Sequence, residues 1–141
     1  MTSRLTEISV DCADPARLAD FWCAVLGYAV LDATDDLIEI GPDRGSDTAL
    51  LETVRREPLA PTIFFARVPE GKTAKNRVHV DVSPVDATQA EEVARLEALG
   101  ATRADVGQGA DGHPVSWVVM ADPEGNEFCV LRSLAPGEFS L

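Results

Sequence analysis

One pattern occurs twice in this chain and restricts its fold more than anything else in it. A stretch alternating polar and apolar residues leads into a capped amphipathic helix, and the helix stops at Leu-Gly. The first copy runs from Glu7 to Gly27 and the second from Arg77 to Gly100. Alternation with period two is the mark of a half-buried strand, and apolar residues three and four apart mark one buried helix face. In the first copy Asp14-Pro15 supplies an N-cap and a proline at the first helical position, and Leu18, Phe21, Trp22, Val25 and Leu26 form the buried face. Gly27 ends that helix. In the second copy Asp86 and Gln89 are expected to form a capping box, with Ala90, Val93, Leu96 and Leu99 inward.

Further strands follow each helix. In the first half they are expected near Tyr28 to Leu31, Leu37 to Ile40 and Thr62 to Val68, with Thr48 to Arg56 open between helix and strand. In the second half they are expected over Thr102 to Val106, Val115 to Met120 and Asn126 to Arg132. Asp122-Pro123-Glu124-Gly125 reads as a tight turn joining the last two. Each half therefore reads β-α-β-β-β, and such a module has a sheet face it cannot cover alone. The expected architecture is α+β: two tandem βαβββ modules with pseudo-twofold symmetry, their mixed sheets curled around a cavity with helices outside. Module one is placed at about 4–68, a linker at 69–75 and module two at about 76–133, all within one domain of 141 residues.

The opening of the second copy carries the chemistry. In Asn76-Arg77-Val78-His79-Val80-Asp81-Val82 the three valines are expected to enter a core, turning Arg77, His79 and Asp81 toward a polar cavity. His79 is the best candidate for an acid, base or ligand titrating near neutrality. An equally good reading makes it a buried histidine held by Asp81 or Arg77. Asp11 and Asp81 match across the repeat, and both also suit a structural role at strand ends. Lys72, Lys75 and Arg77 form the basic cluster of the linker, either a solvated group or an attractor of an anionic ligand. Trp117 offers a stacking surface or a core side chain. His113, before Pro114, reads as solvated. Gly107 to Gly112 spells G-x-G-x-x-G, but His113-Pro114 and a strand follow instead of a helix, so it reads as a loop and a lip over the cavity.

A formal net charge of −12 opposes phosphate backbones and anionic lipid, so neither nucleic acid nor membrane is expected as a partner. No segment is long and apolar enough to span a bilayer, and Met1-Thr2-Ser3-Arg4 leads straight into a strand pattern, so a cytoplasmic protein is expected. Cys12, Cys23 and Cys129 are odd in number and widely spaced, which reads as reduced thiols.

Four stretches resemble the vicinal-oxygen-chelate superfamily of glyoxalases, bleomycin-resistance proteins and extradiol dioxygenases, and within it the glyoxalase-like domain group. They are Asp14 to Trp22 with Val25-Leu26-Gly27-Tyr28, Phe64 to Glu70, Asn76 to Asp81, and Ala121 to Phe128. The resemblance implies a funnel-shaped site in which catalytic members hold a divalent metal with four side chains. Those positions fall here on Glu7, Ala66, His79 and Cys129. Ala66 offers no donor, so no metal cofactor is expected, with Glu7, His79 and Cys129 as the candidate ligands if one binds. The expected function is glyoxalase-like binding of a small organic ligand, a drug or metabolite, at Glu7, Arg77, His79, Asp81, Trp117 and Cys129. An enzyme working through His79 and nearby carboxylates belongs to the same reading. The alternative is a metal-dependent lyase, isomerase or dioxygenase using Glu7, His79 and Cys129. A homodimer is expected by analogy with relatives and because such modules leave sheet edges to be covered.

Overall fold

In the computed structural model, which describes residues 3–44, 48–107 and 115–138, the alternation from Glu7 to Cys12 is the strand β1. Asp14 then caps α1 (Pro15–Leu26), its carboxylate accepting from the Arg17 N–H at 3.1 Å. Gly27 closes the helix in the left-handed conformation at φ 66°. Leu18, Phe21 and Trp22 are buried as expected, while Val25 and Leu26 are only half-buried. The Phe21 and Trp22 rings meet edge to face, 5.4 Å apart at 89°, which gives both a packing role.

The strands β2 (Ala29–Ala33) and β3 (Leu37–Gly41) flank the turn Thr34-Asp35-Asp36. The undecided stretch is helical, α2 (Thr48–Arg56), and Arg4 donates to the Val54 carbonyl in its last turn at 3.2 Å. The strand β4 (Thr62–Arg67) then inserts between β1 and β3, giving the order β1-β4-β3-β2 with only β1 and β4 parallel. Ile40, Ile63 and Phe65 form the sheet side of this core, and Leu18 the helix side.

The second half repeats that order. It holds β5 (Val80–Val82), α3 (Gln89–Ala98), β6 (Thr102–Arg103), β7 (Val118–Ala121) and β8 (Glu127–Val130). The sheet runs β5-β8-β7-β6, again with the first and last strands parallel. Phe128, Met120, Val130, Val93 and Leu96 fill its core. The chain divides into two units at Gly71/Lys72, each an α+β module with its own four-stranded mixed sheet.

Several local expectations need correction. The strand expected over Arg77 to Val82 is regular only from Val80, and Val78 is 81% exposed instead of entering a core. In the segment before it, the Asn76 N–H donates to the Glu127 carboxylate instead of to a neighbouring strand. The cap of α3 is Thr88, not Asp86. Thr88 and Glu91 exchange the reciprocal bonds of a capping box, at 3.2 Å and 2.8 Å. Leu99 therefore lies past the helix and is 39% exposed, and Ala90 is exposed as well. β6, β7 and β8 are shorter than their alternation predicts. In the turn before β8, Asp122 Oδ1 accepts from the Glu124 and Asn126 N–H groups at 2.9 and 3.0 Å, and Gly125 takes φ 87°. His113 and the loop from Gln108 to Gly112 lie outside the described residues.

Candidate functional site

The site is built from the irregular segment that precedes β5. Glu127, the first residue of β8, holds that segment in place. Its carboxylate accepts from Lys72 Nζ at 3.0 Å and from the Asn76 N–H at 2.9 Å. Both charged side chains are largely covered, 22% exposed for Lys72 and 12% for Glu127. Burial by itself raises the pKa of Glu127, but the Asn76 N–H and the Lys72 ammonium outweigh it and hold the carboxyl at about 2. Lys72 also donates to the Ala74 carbonyl at 2.8 Å, which tightens the turn.

The latched segment sets His79 in place. Its Nε2 lies 3.0 Å from Lys75 Nζ and 3.2 Å from the Asn76 carbonyl, and its Nδ1 lies 3.7 Å from Cys129 Sγ. A proton on Nε2 lets the ring donate to Asn76 and accept from the thiol, and a proton on Nδ1 lets it accept from Lys75. Cys129 is directly opposite Asp81 in the parallel β5–β8 ladder. Burial raises its thiol, and a hydrogen bond to Asp81 with that carboxylate's charge raises it further, to about 11. Cys129 is therefore a thiol at neutral pH.

Arg77, His79, Asp81, Trp117 and Cys129 line one pocket of about 420 Å³ together with Lys75 and Leu131. Trp117 comes from the bend before β7. Gln89 at the start of α3 fixes that bend by donating to the Ser116 carbonyl at 3.0 Å and to Val130 at 2.9 Å. His79 is held by Lys75, Asn76 and Cys129, not by Arg77 or Asp81 as one reading had it. Glu7 lies on β1 of the first module, paired with Thr62. Sequence reasoning missed the latch. Its signal was the period of two along β8, which puts Glu127 on the same face as Cys129. Lys75, read as either solvated or an attractor of an anionic ligand, lies in the lining, as does Leu131, which sequence reasoning did not single out.

Residues 7–131 match the family model of a glyoxalase-like domain. The chain belongs to that family. Solved structures agree on the fold of this glyoxalase-like domain. Fosfomycin resistance protein FosX from Mesorhizobium loti is 12% identical, with a TM-score of 0.63 over 93% of this chain and 92% of that one. A glyoxalase/bleomycin resistance protein/dioxygenase family enzyme from Burkholderia phytofirmans is 17% identical, with a TM-score of 0.58 over 91% and 97%. A FosX variant from Listeria monocytogenes, complexed with Mn(II) and 1S,2S-dihydroxypropylphosphonic acid, is 8% identical, with a TM-score of 0.60 over 94% and 91%. No curated protein matches the chain. At these identities the likeness establishes the shared fold.

The side chains present here do not fit a four-donor divalent metal centre. Among the described residues, no three or more His, Cys, Asp and Glu side chains group closely enough to hold a metal ion. Ala66, on β4 opposite Asp11, has no donor at the position where the resemblance requires one. The approach of His79 to Cys129 combines an imidazole with a soft thiol and is not completed by a further ligand in the second module.

Proposed function

We propose that this glyoxalase-like domain binds a small organic ligand, a drug or metabolite, in the second-module pocket, without a conventional metal centre. The observation that carries this reading is the gathering of Arg77, His79, Asp81, Trp117 and Cys129 around one pocket of about 420 Å³. That volume is in the range of small-molecule sites, and the lining is mainly polar and charged, with Trp117 and Leu131 as its large apolar side chains. His79, fixed at both ring nitrogens, is the group placed to orient or protonate what binds. His79→Ala should weaken binding in a thermal-shift and calorimetric screen while leaving the circular dichroism spectrum unchanged. An unfolded variant would make His79 structural, and unchanged binding would remove it from the site.

A second reading is a metal-dependent lyase, isomerase or dioxygenase using Glu7, His79 and Cys129; its support is that one structure of the same fold, the Listeria FosX variant, is complexed with Mn(II). Metal analysis of protein purified without chelators separates the two. Stoichiometric transition metal supports the alternative, and a trace amount supports the metal-free pocket. The homodimer and the cytoplasmic location belong to the same proposal. Sedimentation equilibrium giving the mass of one chain would remove the dimer.

A further inference from the structure

The pocket combines charge and apolar surface in a way that names a ligand class. The chain as a whole carries a net charge of −12, which repels anions. Among the described residues the pocket is the reverse, lined by Lys75 and Arg77 against the carboxylate of Asp81. Asp81 stands opposite Cys129 in the β5–β8 ladder, and Lys75 is drawn to His79 and to the Asn76 carbonyl at 3.2 Å. Arg77 differs from both. Among the described residues its guanidinium has neither a hydrogen bond nor an ion pair, although it borders the pocket. A guanidinium presents a planar fork of donors that matches two carboxylate oxygens at once. Trp117 and Leu131 supply the apolar wall beside it.

We infer that the ligand is a small organic carboxylate with a flat or apolar body, its carboxylate on Arg77 and its body against Trp117 and Leu131. Lys75 adds a second positive charge at the rim. The pocket's excess of one positive charge suits a monoanion. The inference rests on the pocket being the ligand site, and it adds what distinguishes one ligand from another there.

The test uses the full chain with benzoate and its uncharged analogue benzamide, titrated calorimetrically at low salt. Benzoate should bind at least about tenfold more tightly than benzamide, because only the anion makes the charged pair of hydrogen bonds. Arg77→Gln should weaken benzoate about tenfold or more and leave benzamide unchanged. Arg77→Lys should fall between, keeping the charge and losing the fork. Arg77 has no partner to lose, so both variants should melt with the parent protein. Equal binding of the two probes, or benzoate binding that ignores Arg77→Gln, overturns the carboxylate assignment and leaves the pocket reading standing. If neither probe binds at millimolar concentration, the pocket reading falls and the assignment falls with it.

Discussion

The two modules share a strand order and differ in how their first strand begins. In the first, β1 stays in register with β4 along its whole length, from Glu7 opposite Thr62 to Cys12 opposite Arg67. In the second, β5 pairs with β8 only from Val80 to Val82. Asp11 faces Ala66 across one parallel ladder and Asp81 faces Cys129 across the other, so the registers can be compared residue by residue. Two residues earlier the first module has Phe64, which lies opposite Ser9, and the second has Glu127. Glu127 takes the Asn76 N–H and the Lys72 ammonium onto its own carboxylate, and the segment before β5 lines the pocket with Lys75, Arg77 and His79.

The comparison can be broken or sharpened by experiment. The largest effects should come from the two cores. Phe65→Ala in the first and Phe128→Ala in the second each empty a site that is 0% and 1% exposed. Each should cost about 3–5 kcal/mol by urea denaturation. A loss below about 1 kcal/mol in either would show that its module does not depend on the core described for it. Next is Glu127→Ala, which leaves the partly buried Asn76 N–H without its acceptor and Lys72 without its counter-ion, with only the Ala74 carbonyl remaining to it. It should cost about 1–3 kcal/mol and weaken ligand binding, whereas Glu127→Gln retains an acceptor and much of both. Unchanged binding in Glu127→Ala would mean that the segment holds itself without the latch.

Acid tests the same residue by another route. The folded pKa of Glu127 lies near 2, below its ordinary 4.5, so the ionised latch adds stability above that range. The contribution is lost as pH falls from 4.5 toward about 2, and Glu127→Gln should flatten this part of the stability curve. A variant with the same slope as the parent would contradict it. The smallest effects belong to the helix caps. Asp14→Ala and Thr88→Ala should each cost about 1 kcal/mol, measured as a shift in the urea midpoint. A silent Thr88→Ala beside a costly Asp86→Ala would restore the cap position read from the sequence.

The contrast also shows what the sequence could and could not reveal. α1 was legible from end to end because its signals are local: Asp14-Pro15 at one end, Gly27 at the other and an apolar face between. The group Arg77, His79, Asp81, Trp117 and Cys129 was legible from alternation and resemblance, although Arg77 and His79 precede the strand they were assigned to. The latch was not legible. Asn76 and Glu127 are 51 residues apart, and no local pattern indicates that a backbone N–H will meet a distant carboxylate. The helix α2 stayed undecided for the same reason, since Arg4 holds its last turn from 50 residues away.

The most direct measurement is a ¹H–¹⁵N NMR titration of the full chain with benzoate, recorded for the parent and for Glu127→Ala. The account predicts the largest amide shifts at Lys75 to Asp81, Trp117 and Cys129 to Leu131, and much smaller ones in the variant. Shifts concentrated on β1 and β4, or equal in parent and variant, would contradict it.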